Sequence, residues 1–127
     1  MAKFFNVSAH ALATEQLEDI MKSFGISENS IVDIKVGNVD PHVDTDELAS
    51  VSTSLVDSWG VKEGDVAMVA GEPIMSVCLV RALQSKGVTC VSATTERMSV
   101  EKVLEDGTVQ KTNQFKHVRF REWPSLI

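Results

Sequence analysis

The chain has few cysteines and none of the common nucleotide-binding or hydrolase signatures, and each absence excludes a class of function. Among its 127 residues only Cys78 and Cys90 carry thiols. Neither belongs to a CxxC pair or a disulfide framework, so both are expected to be buried, inert thiols with no redox or metal role. No apolar run approaches the roughly 20 residues needed to span a bilayer. Met1–His10 has too short an apolar core for a secretory signal, so a cytoplasmic protein without a membrane partner is expected. There is no G-x-G-x-x-G and no G-x-x-x-x-G-K-[ST], which removes the ordinary dinucleotide and P-loop readings. No serine sits in a nucleophile elbow, and no H-E-x-x-H is present. Internal repeats, low-complexity stretches and linkers are also missing. At this length, a single domain over residues 1–127 is expected.

The residues that are present describe a folded, acidic protein with one cationic region. The hydrophobic fraction is 43% and the charged fraction 24%, a composition that folds. A formal net charge of −6 argues against binding long nucleic acid. The total hides an asymmetry. Residues 97–121 hold six of the twelve Lys and Arg against three acids, a local +3, which leaves −9 for the other 102 residues. Such a patch suits a small anionic ligand better than a long polyanion. The plainer alternative is a solvated C-terminal hairpin.

Along the chain, strand and helix patterns alternate. Lys3–Ser8 reads as a buried strand. Leu17, Ile20, Met21 and Phe24 then mark one helical face, with Thr14 placed to cap the start and Gly25 the end. Ile31–Val36 is a second strand. Leu48, Val51, Leu55 and Trp59 form a second amphipathic face that starts at Asp44 or Thr45. Val66–Ala70 is a third, fully apolar strand, followed by Gly71-Glu72 and a helix from Pro73 to about Lys86, with Gly87 after its end. That helix is apolar nearly all round, which predicts a second cover besides the sheet, and a partner subunit is the natural one. Val88–Ala93 is the fourth strand. This order implies an α/β fold with a mainly parallel, Rossmann-like sheet. The tail departs from it: Asp106-Gly107 signals a hairpin turn between Val100–Leu104 and Thr108–Lys111. Phe115–Arg121 then alternates, placing Val118 and Phe120 on one face and His117, Arg119 and Arg121 on the other.

Ligands of open α/β sheets bind beyond the carboxyl ends of the strands. Ser8-Ala9-His10, Gly71-Glu72-Pro73 and Ala93-Thr94-Thr95-Glu96-Arg97 are expected there. The helix opening at Pro73 offers N–H groups to a phosphate, and Gly71 permits close approach. Thr94 and Thr95 bring hydroxyls and Arg97 a guanidinium suited to phosphate, although a strand exit with a surface ion pair fits the same residues. His10 is the preferred general base, His117 the substitute between Lys116 and Arg119, and a purely structural histidine the alternative. Asp40, His42 and Asp44 alternate as a metal site would, but short acidic loops before helices are common, and no metal or other cofactor is expected.

With these residues in view, the chain resembles the small stand-alone ring nucleases of type III CRISPR systems, in the Csx group. The resemblance rests on His10-Ala11-Leu12, Glu15-Gln16, Gly64-Asp65, Gly71, Ala93–Arg97, Glu101, Glu105-Asp106-Gly107 and, most specifically, Phe115–Arg121. The chain departs from it at Glu72-Pro73, where the family is richer in small residues. The resemblance implies a CARF-like form of the Rossmann-like sheet, to which the tail adds its C-terminal hairpin, acting as a homodimer on cyclic oligoadenylate, with cyclic tetra-adenylate the leading ring. It also implies metal-independent linearisation, in which a ribose 2′-hydroxyl attacks the adjacent phosphate and so switches off type III signalling. On that expectation His10, Thr95, Arg97 and Arg119 serve catalysis, while Ser8, Gly71, Thr94, Lys116, His117 and Arg121 bind the ring. A non-catalytic sensor or sponge for the same ring is the alternative.

Overall fold

The computed structural model describes all 127 residues. Its elements in chain order are β1 (Phe4–Val7), α1 (Thr14–Phe24), β2 (Ile31–Ile34), α2 (Thr45–Ser58), β3 (Val66–Val69), α3 (Pro73–Gln84), β4 (Thr89–Val103) and β5 (Val109–Glu122). They form one α/β, Rossmann-like sheet in the order β2-β1-β3-β4-β5. The pairs up to β3–β4 are parallel, and β4–β5 is antiparallel. No helix is long and apolar enough to cross a membrane.

The two central strands are buried on both faces, which is why they read as unbroken apolar runs. Phe5, Val7, Ala67 and Val69 pack toward α2 and α3, with Leu48, Val56, Leu79 and Leu83. On the opposite face Phe4 and Met68 pack with Ile20 of α1, Val91 and Phe120. Helix ends follow local chemistry. Asp44 caps α2 through its carboxylate, which accepts from the Glu47 N–H at 2.9 Å. In α1 the cap is Ala13, not Thr14; its N–H donates to the Gln16 side chain at 2.8 Å. Only that half of a capping box exists, because alanine has no side-chain acceptor.

Three sequence expectations are corrected. First, α2 lies against α3, with Ser52 Oγ 3.3 Å from Met75 Sδ. A second helix thus covers the side of α3 that had been assigned to a partner subunit, leaving only outer residues such as Ile74 and Val77 exposed. Second, the fourth strand does not stop at Ala93. It runs through Thr94–Arg97 to Val103, because the returning β5 continues to satisfy its backbone after β3 has ended. The tail is therefore one long ribbon whose first strand also belongs to the parallel sheet. Third, Cys78 is only half-buried, whereas Cys90 is buried.

Candidate functional site

The strand order reverses direction between β1 and β3, and a cleft of about 200 Å³ opens at their carboxyl ends. Ser8 and Ala9 after β1, Lys35–Val39 after β2, Ala70–Glu72 after β3, and Met75, Ser76 and Leu79 of α3 line it. Ser8 and Gly71 are therefore brought together as expected. Gly71 holds φ 151°, a conformation that favours glycine.

The phosphate role expected of the helix beginning at Pro73 meets an internal competitor. The Glu72 carboxylate accepts from the N–H groups of Ile74 at 3.2 Å and Met75 at 2.7 Å. An arriving phosphate would have to displace a carboxylate already bound to these donors, so this helix end is closed to it.

Beside the cleft, the polar residue of an otherwise apolar strand organises the turn after β1. Asn6 is fully buried. Its Nδ2 donates to the His10 carbonyl and to Asp33 Oδ1, both at 2.9 Å, and its Oδ1 accepts from Ser8 Oγ at 2.7 Å. A buried amide so fully paired avoids the penalty of an unmet donor and fixes the Ser8–His10 turn. The His10 residue itself is exposed. Sequence reasoning passed over Asn6, although a lone amide in Phe4-Phe5-Asn6-Val7 was a visible signal.

The cationic residues divide between two faces of the ribbon. Residue pairing shifts between Thr94↔Arg119 and Thr95↔His117, so Val118 is an extra residue in β5, a β-bulge. The bulge breaks the expected alternation. Val118 is 51% exposed and Phe120 only 9%, so they do not share a face. His117 is turned to the α1 side, separated from Arg119 and Arg121. Its Nε2 lies 2.7 Å from Asp19 Oδ2 of α1, and its ring packs on Phe120 with centroids 4.8 Å apart. The other ring nitrogen, Nδ1, is buried without a partner. Because β4 alternates regularly, Thr95 and Arg97 lie on this same α1 face, with Val91 and Ala93. Thr94, opposite Arg119, and Ser92, opposite Arg121, lie on the other face. Lys116 pairs across the strands with Glu96. The structure thus groups Thr95 and Arg97 with the His10 side of the sheet, and Thr94, Arg119 and Arg121 with the α3 side. It does not gather the expected catalytic set at one point.

The electrostatics follow from these contacts. A hydrogen bond from Ser23 and the His117 side chain hold the Asp19 carboxyl below its ordinary value. Burial, with the Glu122 charge adding to it, pushes the Cys90 thiol up to about 12, which leaves it unreactive. At the ribbon tip, Asp106 accepts from the Thr108 N–H and hydroxyl, and its carboxyl is lowered in consequence. The carboxylates of the Asp40–Asp44 loop serve the backbone: Asp40 accepts from the His42 N–H at 2.9 Å, and Asp44 caps α2. No three His, Cys, Asp or Glu side chains converge as a metal site requires.

Residues 2–121 match the family model described as the Uncharacterized protein MJ1673 family. The chain belongs to that family. No curated protein matches it. The span matched to the MJ1673 family runs from before β1 almost to the end of β5, and includes the cleft, the Asn6 cluster and all of the ribbon's cations.

Proposed function

We propose that this chain is a CARF-like ring nuclease that acts as a homodimer on cyclic oligoadenylate, with cyclic tetra-adenylate the preferred ring. One observation carries the reading: the cationic ribbon leaves the sheet at the same carboxyl edge on which the cleft opens, and it bears the Phe115–Arg121 run of the resemblance. A cleft of about 200 Å³ is smaller than the roughly 300–1,000 Å³ of ordinary small-molecule sites, so one subunit does not enclose a ring of nucleotides. Two subunits about a two-fold axis present each cationic group twice, matching a ring with rotational symmetry.

In this reading Thr95 and Arg97 hold one phosphate from the α1 side. Arg119, with Thr94, Lys116 and Arg121 nearby on the ribbon, neutralises charge contributed from the α3 side of the other subunit. The ribose 2′-oxygen attacks the adjacent phosphorus in line, its proton passes to His10, and the bond to the 5′-oxygen breaks as that oxygen takes a proton from water, leaving a cyclic phosphate end and a 5′-hydroxyl end. Positioning and electrostatic stabilisation supply most of the acceleration. His117 is withdrawn from the ligand set and instead pins the ribbon to α1 through Asp19.

The division of Thr95 and Arg97 from Arg119 favours a second reading, a sensor or sponge that holds the ring intact. Radiolabelled cyclic tetra-adenylate, incubated with the protein in EDTA and resolved on a gel, tests both. Linear product supports the nuclease, a retained but intact ring supports the sponge, and no binding removes both.

A further inference from the structure

Several polar groups of the cleft between β1 and β3 are not used by the fold. Ser76, one turn into α3, lines the cleft and is only 6% exposed, yet its hydroxyl makes no hydrogen bond within the protein. Its own N–H bonds the Glu72 carbonyl. The hydroxyl is aimed at the Gly71 wall, where a Cβ on Gly71 would lie 3.9 Å from Oγ. Other helix hydroxyls behave differently: those of Thr53 and Ser85 donate to the carbonyls four residues earlier. A hydroxyl buried this far without a partner is costly unless something entering the cleft meets it. On the β2 side, Gly37, Asn38 and Val39 also line the cleft, and their backbone groups make no hydrogen bond within the protein.

Three properties limit what can enter. The floor is apolar, formed by the buried Met75 and Leu79. At about 200 Å³ the cleft lies below the roughly 300–1,000 Å³ of sites that enclose a whole small-molecule ligand, so it takes one compact group. At its mouth each Glu72 carboxylate oxygen has given one lone pair to an α3 N–H and keeps another, which repels phosphate and rewards a donor. Lys35, the single cation of the lining, is exposed on the β2 side. A flat, uncharged heterocycle bearing an amino group meets all three conditions. We propose that this cleft is a subsite for an aminopurine base, with the Ser76 hydroxyl donating to a ring nitrogen and the Glu72 carboxylate accepting from the exocyclic amino group. Strand β4, which carries Thr94–Arg97, is one strand from β3, about 4.8 Å away, so the base's sugar and phosphate extend toward the cations. Naming adenine as the base rests on the cyclic oligoadenylate reading; the preference for an amino-bearing heterocycle does not.

Adenosine has no phosphate, so it tests the cleft apart from the ribbon. It is titrated to millimolar concentration into the full chain with methyl-labelled methionine and followed by NMR. The Met75 methyl should shift, whereas those of the exposed Met21 and Met98 should not. Inosine, which places a carbonyl oxygen where adenosine has its amino group, should bind at least about tenfold more weakly. Ser76→Ala should weaken adenosine about three- to tenfold. Glu72→Gln keeps an oxygen for the α3 N–H groups but adds a donor, so it should narrow or invert the preference for adenosine over inosine. A Met75 methyl that ignores adenosine overturns the inference, and so does a preference that Glu72→Gln leaves unchanged. Cyclic tetra-adenylate, titrated in parallel, separates the two readings. Ring binding without a Met75 response removes the base subsite alone, while a Met75 response to adenosine without ring binding supports the subsite and removes the ring reading.

Discussion

Strand β4 belongs to two different environments, and its two halves show how context decides what a residue does. Cys90 and Val91 are sealed in the core between helices, while Arg97, Met98 and Val100 a few residues on stand in solvent. The backbone is extended and paired throughout. In the body, burial on both sides makes each position sensitive to volume and polarity. In the ribbon, only the cross-strand bonds and the tip turn impose order, so side chains there are free to serve a partner or ligand.

The sharpest contrast is in stability. Leu83→Ala, at a fully buried position of α3, should destabilise the fold by about 2–5 kcal/mol. Gln110→Ala, exposed in the ribbon, should stay within about 0.5 kcal/mol. Urea unfolding of both variants checks the pair, and equal effects would mean that the ribbon is packed in solution. A second pair isolates crowding from backbone strain. Gly87 (φ 79°) and Gly107 (φ 84°) both need left-handed backbone, but a Cβ on Gly87 would lie 2.7 Å from Glu63 Cγ, while one on Gly107 meets nothing. Gly87→Ala should therefore cost about 3 kcal/mol and Gly107→Ala about 1–2 kcal/mol, as read by thermal unfolding.

On the ligand side the ribbon should matter more than the body. Losing a charge-assisted bond to phosphate removes about 1.5–3 kcal/mol. If that bond tightens in the transition state, Arg97→Ala should slow single-turnover ring cleavage at least tenfold by the usual conversion of energy to rate. Arg81→Ala, on α3, should leave the rate unchanged. Arg97→Ala and Arg119→Ala variants that both cleave at the wild-type rate would remove the proposed site.

The smallest effect lies at the junction of the two regions. Asp19 is held below its ordinary carboxyl value of 3.8 in the folded state, first by Ser23 and then by His117. A depressed carboxyl contributes stability that is fully present above its unfolded value and is lost as pH falls through the folded one. Urea midpoints measured from pH 6 downward should therefore decline below about pH 4. Asp19→Asn should flatten part of that decline. Identical curves would show that the contact between α1 and the ribbon stores no such energy.

Legibility in the sequence follows the same boundary. The apolar runs at Phe4–Val7 and Val66–Val69 were readable because a strand buried on both faces admits few polar residues, and the start of α2 was readable to within Asp44 or Thr45 because capping chemistry is local, with the structure choosing Asp44. Asn6 is the exception inside the body. Its partners Ser8 and His10 are near in sequence, but Asp33 is brought by β2, so its role needed the pairing of two strands. At the candidate site, Ser8 and Gly71 were correctly expected to share a strand-end cleft, since that placement follows from strand order alone. The closure of the Pro73 helix end by Glu72 depended on a side-chain orientation that composition does not report.

What the sequence determined by itself is the alternation of strands and helices, the parallel core that alternation requires, and the segregation of positive charge into the tail. These depend on periodicity, capping and composition, which act over a few residues. Only the tertiary structure decided that β4 continues past the sheet, that one extra residue at Val118 turns His117 toward Asp19, and that Arg97 and Arg119 face opposite ways. A bulge shifts the register of every residue beyond it, and register is set by which backbone groups find partners across the ribbon, a choice made between segments far apart in the chain.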